Sequence, residues 1–163
     1  MKIFLGTPIT PILNSENIFS IENKKNLSNL INSLRKIEGV DTVFCAIERE
    51  KWGEELLSGD VCTKLDYEEM IDTDIFIAIP NQSHGVHIEI GWASALKKKI
   101  IVLVNENFGI KTPLIEGLDK LTDTHIIRFK EDSDFPKPLT WDNEISPHLL
   151  KLLGTKTEPL LVK

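Results

Sequence analysis

Residues 66–107 read DYEEMIDTDIFIAIPNQSHGVHIEIGWASALKKKIIVLVNEN, and this stretch decides the fold. Ile75 to Ile79 is a short apolar run rich in β-branched residues, the mark of a buried strand. Pro80-Asn81-Gln82-Ser83-His84-Gly85 then interrupts it, because Pro and Gly break both the strand and the helix period. From Val86 the pattern turns helical, with Val86, Ile90, Ala93 and Leu96 on one stripe. Lys97, Lys98 and Lys99 suit the negative end of that helix dipole. Ile100 to Val104 reads as the next buried strand, so the stretch is a βαβ unit.

Toward the N-terminus, Lys2 to Leu5 reads as a first strand ended by Gly6-Thr7-Pro8. A polar turn follows from Ile9 to Asn17, where Pro8 and Pro11 oppose helix. A helix is predicted from about Phe19 to Ile37, with Leu27, Leu30, Ile31, Leu34 and Ile37 in helical register and Gly39 as terminator. Val40 to Ile47 reads as the second strand, with Cys45 a reduced thiol inside it. The charged run Glu48 to Leu57 has two readings: a solvated helix anchored by Trp52, or a loop after strand two that overhangs a site. Ser58-Gly59 breaks the chain, and a helix from about Asp60 to Ile71 carries Asp66.

Toward the C-terminus, Asn105 to Thr112 reads as a loop and Pro113 opens a short helix to about Leu121. Thr124 to Phe129 is the last strand, with His125 a packing or surface residue. Glu131 to Pro138 is a linker, and Thr140 caps a final helix that Pro147 divides into two pieces. Residues 1–153 are expected to form one domain. The tail 154–163 is expected to be loose or to reach a partner subunit.

Strands alternate with helices, which predicts an α/β fold with a mainly parallel five-stranded sheet. Right-handed crossovers favour the flavodoxin-like, Rossmann-like doubly wound sandwich with strand order 2-1-3-4-5. The switch point then lies between strands one and three, where Gly6-Thr7-Pro8 and the Pro80 to Gly85 loop end.

A chain of 163 residues with 27% charged residues is an ordinary globular length and composition. The net charge of −6 argues against binding nucleic acid polymers or anionic membranes, both of which need a basic surface. Two cysteines, Cys45 and Cys62, make neither a disulfide framework nor a metal-ligand spacing. The N-terminal apolar run is too short for a signal peptide, and no segment has the roughly 20 apolar residues of a membrane span. A cytoplasmic protein is expected.

Glu89 stands in the helix of the βαβ unit, with Ser83 six residues before it and Gly91 two after. A carboxylate there lies beside the crevice where open α/β sheets bind ligands. The same residue would also serve simply to complement the helix dipole.

The pattern Ser83-His84-Gly85-Val86-His87-Ile88-Glu89-Ile90-Gly91-Trp92-Ala93, preceded by Asp66 and by Asp74 at the strand opening, resembles the nucleoside 2-deoxyribosyltransferase family. Phe4-Leu5-Gly6-Thr7-Pro8 is similar to that family's first strand and turn, so the resemblance covers roughly residues 1 to 105. It implies that Glu89 is a nucleophile or cation stabiliser and that Asp66, opposite it, handles the proton of the leaving base. It also implies substrate contacts from Gly6, Thr7, Pro8, Ser83, His84, Gly85 and His87, with Phe19 or Trp52 stacking on the base. For Asp66, a solvated acidic face with Glu68, Glu69 and Asp72 is the plain alternative. Two departures stand out: the first turn lacks the arginine of the nucleotide-hydrolysing relatives, and Ile3 and Phe4 occupy the strand where relatives carry a tyrosine.

The expected activity is hydrolysis of the base–sugar bond of a nucleoside 5′-monophosphate, a pyrimidine such as CMP in particular. The resemblance implies no cofactor and a homodimer; His84 and His87 lack a third partner for a metal. A 2-deoxyribosyltransferase exchanging bases between deoxynucleosides and a non-catalytic nucleotide sensor are the alternatives. A flavin or phospho-acceptor protein of the same topology is excluded, because strand one is followed by neither a Ser/Thr-rich phosphate loop nor paired acids.

Overall fold

The computed structural model describes residues 1–13, 16, 19–108 and 112–154. Five strands, β1 (Lys2–Gly6), β2 (Thr42–Phe44), β3 (Ile75–Ala78), β4 (Lys99–Asn105) and β5 (Thr124–Phe129), form an all-parallel sheet. Their order is β2-β1-β3-β4-β5, the doubly wound arrangement expected from the alternation of elements. Gly6 pairs with Ala78, so the C-terminal ends of β1 and β3 stop side by side.

A parallel sheet buried on both faces needs apolar side chains in both directions. On one face Ile3, Leu5, Ile77 and Leu103 pack with Leu27 and Leu34 of α1 (Ile21–Arg35). On the other face Phe4, Phe76 and Val102 pack with Met70 of α3 (Gly59–Asp72) and with Val86 and Ile90 of α4 (His84–Ala95). The stripe on α4 is the one its spacing predicts, except that Leu96 is the residue closing the helix.

Several boundaries differ from expectation, each for a local reason. Ser20 Oγ accepts a hydrogen bond from Asn23 N at 3.1 Å, so α1 starts at Ile21 and Phe19 instead bridges to Leu13. β2 covers only Thr42–Phe44; Cys45 is the residue before a short helix α2 (Ala46–Arg49), and Ile47 is buried from that helix. A short apolar run does not itself distinguish strand from helix. Residues 48–57 do not continue as one helix, because Lys51, Trp52 and Gly53 all have positive φ (47°, 62° and 97°). A 3₁₀ turn, Thr10–Ile12, forms where prolines were expected to exclude helix; Pro11 sits in its first turn, where no N–H is needed.

At the C-terminal side, α5 (Pro113–Glu116) is shorter than expected and is followed by a 3₁₀ turn, Leu118–Lys120. The final helix is α6 (Pro138–Thr140), a π turn (Trp141–Ile145) and α7 (Ser146–Leu153). Lys137, not Thr140, precedes it, and the Thr140 hydroxyl instead donates to Glu131 Oε2 at 2.5 Å. Pro147 lies in the first turn of α7, so the division it imposes appears as a π turn rather than a gap. Residues 155–163, most of the expected tail, lie outside the described residues.

Asn105, fully buried at the end of β4, fixes the loop after β5. Its Nδ2 donates to the Glu131 and Ser133 carbonyls at 2.8 and 3.2 Å, and its Oδ1 accepts from Glu131 N at 3.1 Å and Asn107 N at 3.2 Å. Asn105→Leu would strand those backbone groups in an apolar setting. Urea titration should show a loss of about 2–4 kcal/mol of stability.

Candidate active site

The C-terminal ends of β1 and β3 open into a cavity of about 530 Å³ at the topological switch point. Seven residues of the sequence reading meet there. Gly6 and Thr7 come from the end of β1, Asp66 from α3, and Ser83, Gly85 and Glu89 from the loop and first turns of α4. His84 also lines the cavity.

The other predicted contacts lie elsewhere. His87 turns back on its own helix, with Nδ1 2.6 Å from the Ser83 carbonyl. Pro8 lines a separate small depression with Asn81 and Asp134. Phe19 and Trp52 meet edge to face at 5.8 Å beside a neighbouring cavity of about 560 Å³, which shares only Leu56 with the first. Phe19 is itself buried and stacked on Phe135 at 5.9 Å, which makes it a core residue.

Glu89 is held by a close fit rather than by hydrogen bonds. Its Oε2 is shut off from solvent and has no hydrogen-bond partner among the described residues. A β carbon on Gly6 would stand 2.6 Å from that oxygen and 2.7 Å from the ring of Phe76. The absence of a side chain at residue 6 therefore creates the space for the carboxylate. Burial pushes the Glu89 carboxyl up from the ordinary 4.5 to about 8; the charge of Asp66 adds to this and that of Arg49 opposes it.

Asp66 is also pushed upward by burial, against the pull of Arg49, whose Nη1 donates to Asp66 Oδ1 at 2.6 Å. Arg49 Nη2 donates to Glu50 Oε1 at 3.0 Å. Its guanidinium lies 5.6 Å from the Phe44 ring centre, and Phe44, Phe4 and Phe76 continue as edge-to-face pairs at 4.8 and 5.3 Å. An aromatic shelf thus runs from beneath Arg49 to the wall of the Glu89 pocket.

The sequence reading missed Arg49 and Glu50. Both belong to the charged run after β2, and the signal was their place at the C-terminal edge of the sheet, where ligand-binding residues collect. Ser83 Oγ caps α4 by accepting from Val86 N at 3.3 Å. Thr7 Oγ1 lies 3.7 Å from Cys45 Sγ, and burial pushes that thiol up to about 12, which leaves it un-ionised and inert. Among the described residues no three His, Cys, Asp or Glu side chains are placed to hold a metal ion, and no helix is long and apolar enough to cross a membrane.

No protein-family model and no curated protein sequence matches the chain. Solved structures do. A CMP N-glycosidase of Clostridium botulinum, BcmB, is 32% identical with a TM-score of 0.60, over 93% of this chain and 98% of that one. The solution structure of BlsM is 27% identical with a TM-score of 0.67, over 99% and 97%. A 2-deoxyribosyltransferase of Bacillus psychrosaccharolyticus is 24% identical with a TM-score of 0.53, over 80% and 87%, a likeness of fold alone.

Two outcomes follow from the Glu89 pocket. Gly6→Ala should displace the carboxylate and abolish whatever chemistry it performs, while circular dichroism still reports a folded sheet. Between pH 4.5 and about 8 the unfolded chain has released the Glu89 proton and the folded chain has kept it, so stability falls as pH rises through that window. Denaturant titrations should show Glu89→Gln and wild type converging below pH 4.5 and the variant the more stable at pH 9.

Proposed function

The chain belongs to the nucleoside 2-deoxyribosyltransferase-like family, and we propose that it acts there as an N-glycosidase on a nucleoside 5′-monophosphate. The favoured substrate is a pyrimidine nucleotide such as CMP, released as free base and sugar phosphate. One observation carries this reading: a carboxylate, Glu89, whose Oε2 is shut off from solvent without a hydrogen-bond partner among the described residues, in a cavity it shares with Asp66. A desolvated carboxylate without a partner costs stability unless something cationic arrives to face it. The ribosyl-cation-like state of glycosidic cleavage supplies that charge at C1′.

In this mechanism the C1′–N bond breaks with its electron pair passing to the base. Ionised Glu89 forms a bond to C1′ or holds the cation by charge. Asp66 keeps Oδ1 on Arg49 and gives the leaving base a proton from its other oxygen. A water then attacks C1′, returns its proton to Asp66 and frees Glu89. Before C1′ is attacked Glu89 passes the proton it holds to Asp66, which leaves Glu89 ionised and Asp66 carrying the proton it gives the base. The positive charge that develops at C1′ favours this transfer, and the reverse transfer restores the starting state after hydrolysis.

A second reading rests on the cavity wall, which has no lysine or arginine among its described lining residues. A 5′-phosphate would rest on the α4 N-terminus, Ser83 and His84 alone, and a free nucleoside needs less. With a second base in place of water the same steps give 2-deoxyribosyl transfer.

We place the enzyme in the cytoplasm as a homodimer. Tyr67 and Ile71 on α3 and Ile88 on α4 are exposed, and with half-buried Trp92 they make an apolar strip joined by a Tyr67–Trp92 edge contact at 5.4 Å. Ile88 adjoins Glu89, so a second copy paired there in two-fold fashion would abut the site. Sedimentation should give a dimer for wild type and a monomer for Ile71→Glu; a monomeric wild type would sink the assembly.

The activity is tested by chromatography of nucleosides and 5′-monophosphates, ribo and deoxy, incubated with and without a second base. Wild type should release free base from a pyrimidine monophosphate, Asp66→Asn should be slower by about 10²–10⁴-fold, and Glu89→Ala should release none. New nucleoside formed only with the second base would move the assignment to transfer. Tight binding with no release from any substrate would leave a sensor.

A further inference from the structure

Glu50 is a third carboxylate in the cavity, and the glycosidase steps leave it without a task. It is only 6% exposed, yet it lines the same wall as Asp66 and Glu89. Burying a carboxylate is costly, and here three of them face the single guanidinium of Arg49. That guanidinium holds Asp66 on Nη1 and Glu50 on the adjacent Nη2, so the two acids stand side by side at a fixed spacing. Arg49 is in turn held over Phe44, which keeps the fork from swinging.

The two acids present different faces to a ligand. Asp66 must deliver a proton to the leaving base, whereas the Glu50 carboxylate, already held by Arg49, only accepts. Side by side, they ask for a base edge with a proton acceptor next to a hydrogen-bond donor. In cytosine O2 and N3 are acceptors and the exocyclic N4 amine is a donor; in uracil the 4-position carries an acceptor oxygen. Uracil would set its O4 lone pairs against the Glu50 carboxylate, with both groups desolvated.

We infer that Glu50 is the specificity-determining residue of this site, accepting a hydrogen bond from the exocyclic amine of a 4-aminopyrimidine leaving group while Arg49 holds it in register with Asp66. The inference rests on the glycosidase reading and narrows its substrate to amine-bearing pyrimidines. A site built around a donor on its substrate rejects analogues without it, because the buried acceptor is then left unpaired.

The test compares kcat/KM for base release from CMP, UMP and the pyrimidin-2-one nucleotide, which has no 4-amino group. Wild type should prefer CMP over both by roughly 10²-fold or more. Glu50→Gln places an amide N–H where uracil O4 arrives and should raise the UMP-to-CMP ratio by at least about tenfold. A ratio is unaffected by partial loss of folded enzyme, and the wild-type comparison needs no variant at all. Equal cleavage of CMP and the pyrimidinone by wild type would overturn the inference and leave the glycosidase intact. So would a Glu50→Gln enzyme whose two rates fall in step, since Glu50 would then act only through Arg49. No base from any nucleotide would instead remove the glycosidase reading beneath it.

Discussion

Glu89 Oε2 lies where a β carbon on Gly6 would collide with it, 2.6 Å away, and the rest of the site is arranged around that close approach. The constraint begins in the sheet: Gly6 pairs with Ala78, so the ends of β1 and β3 are both small where α4 crosses above them. Any side chain at residue 6 would meet the carboxylate and the fully buried Phe76 ring together. Space, not hydrogen bonding, therefore fixes where the carboxylate stands.

The electrostatics follow from that burial. Glu89, Asp66 and Glu50 share one cavity, with the Arg49 guanidinium bonded to the last two from outside its lining, and a carboxylate without a partner is more stable neutral than charged. Arg49 is committed to Asp66 and Glu50, so the proton remains with Glu89 until a ligand changes the balance. The aromatic shelf of Phe44, Phe4 and Phe76 excludes water beneath these groups. It keeps the interactions strong, and it also makes them destabilising in the absence of substrate. Catalytic tension of this kind has to be offset elsewhere, and the two apolar faces of the sheet supply it.

The sheet order, the βαβ unit and the placement of Glu89, Asp66 and Gly6 were legible because each rests on a local pattern. An apolar run, a Pro/Gly break and a helical stripe are properties of neighbouring residues. Arg49 and Glu50 were not legible, because their meaning is not local: α2 is four residues long, and the chain after it passes through three left-handed residues. A charged run of that composition reads equally as a solvated helix. Phe19 and Trp52 failed in the opposite sense. Aromatic residues near a predicted site suggested stacking on a base, yet Phe19 is core and Trp52 lies in the next cavity.

The lysine-rich end of α4 and the Asn105 network show how the same sheet separates stability from chemistry. Lys97, Lys98 and Lys99 donate to the carbonyls of Leu121, Ile71 and Leu152, so they tie neighbouring segments together at the end of the sheet away from the cavity. Asn105, at the opposite end of β4, ties down the loop after β5 in the same way. At the lysine end Thr124 Oγ1, in the first residue of β5, is buried without a hydrogen-bond partner among the described residues. On the switch-point side Glu89 Oε2 and Arg49 Nε have none among the described residues. Glu89 Oε2 differs from the other unpaired atoms in being a carboxylate oxygen of a residue that lines the switch-point cavity, which is where a fold leaves an acceptor for a ligand.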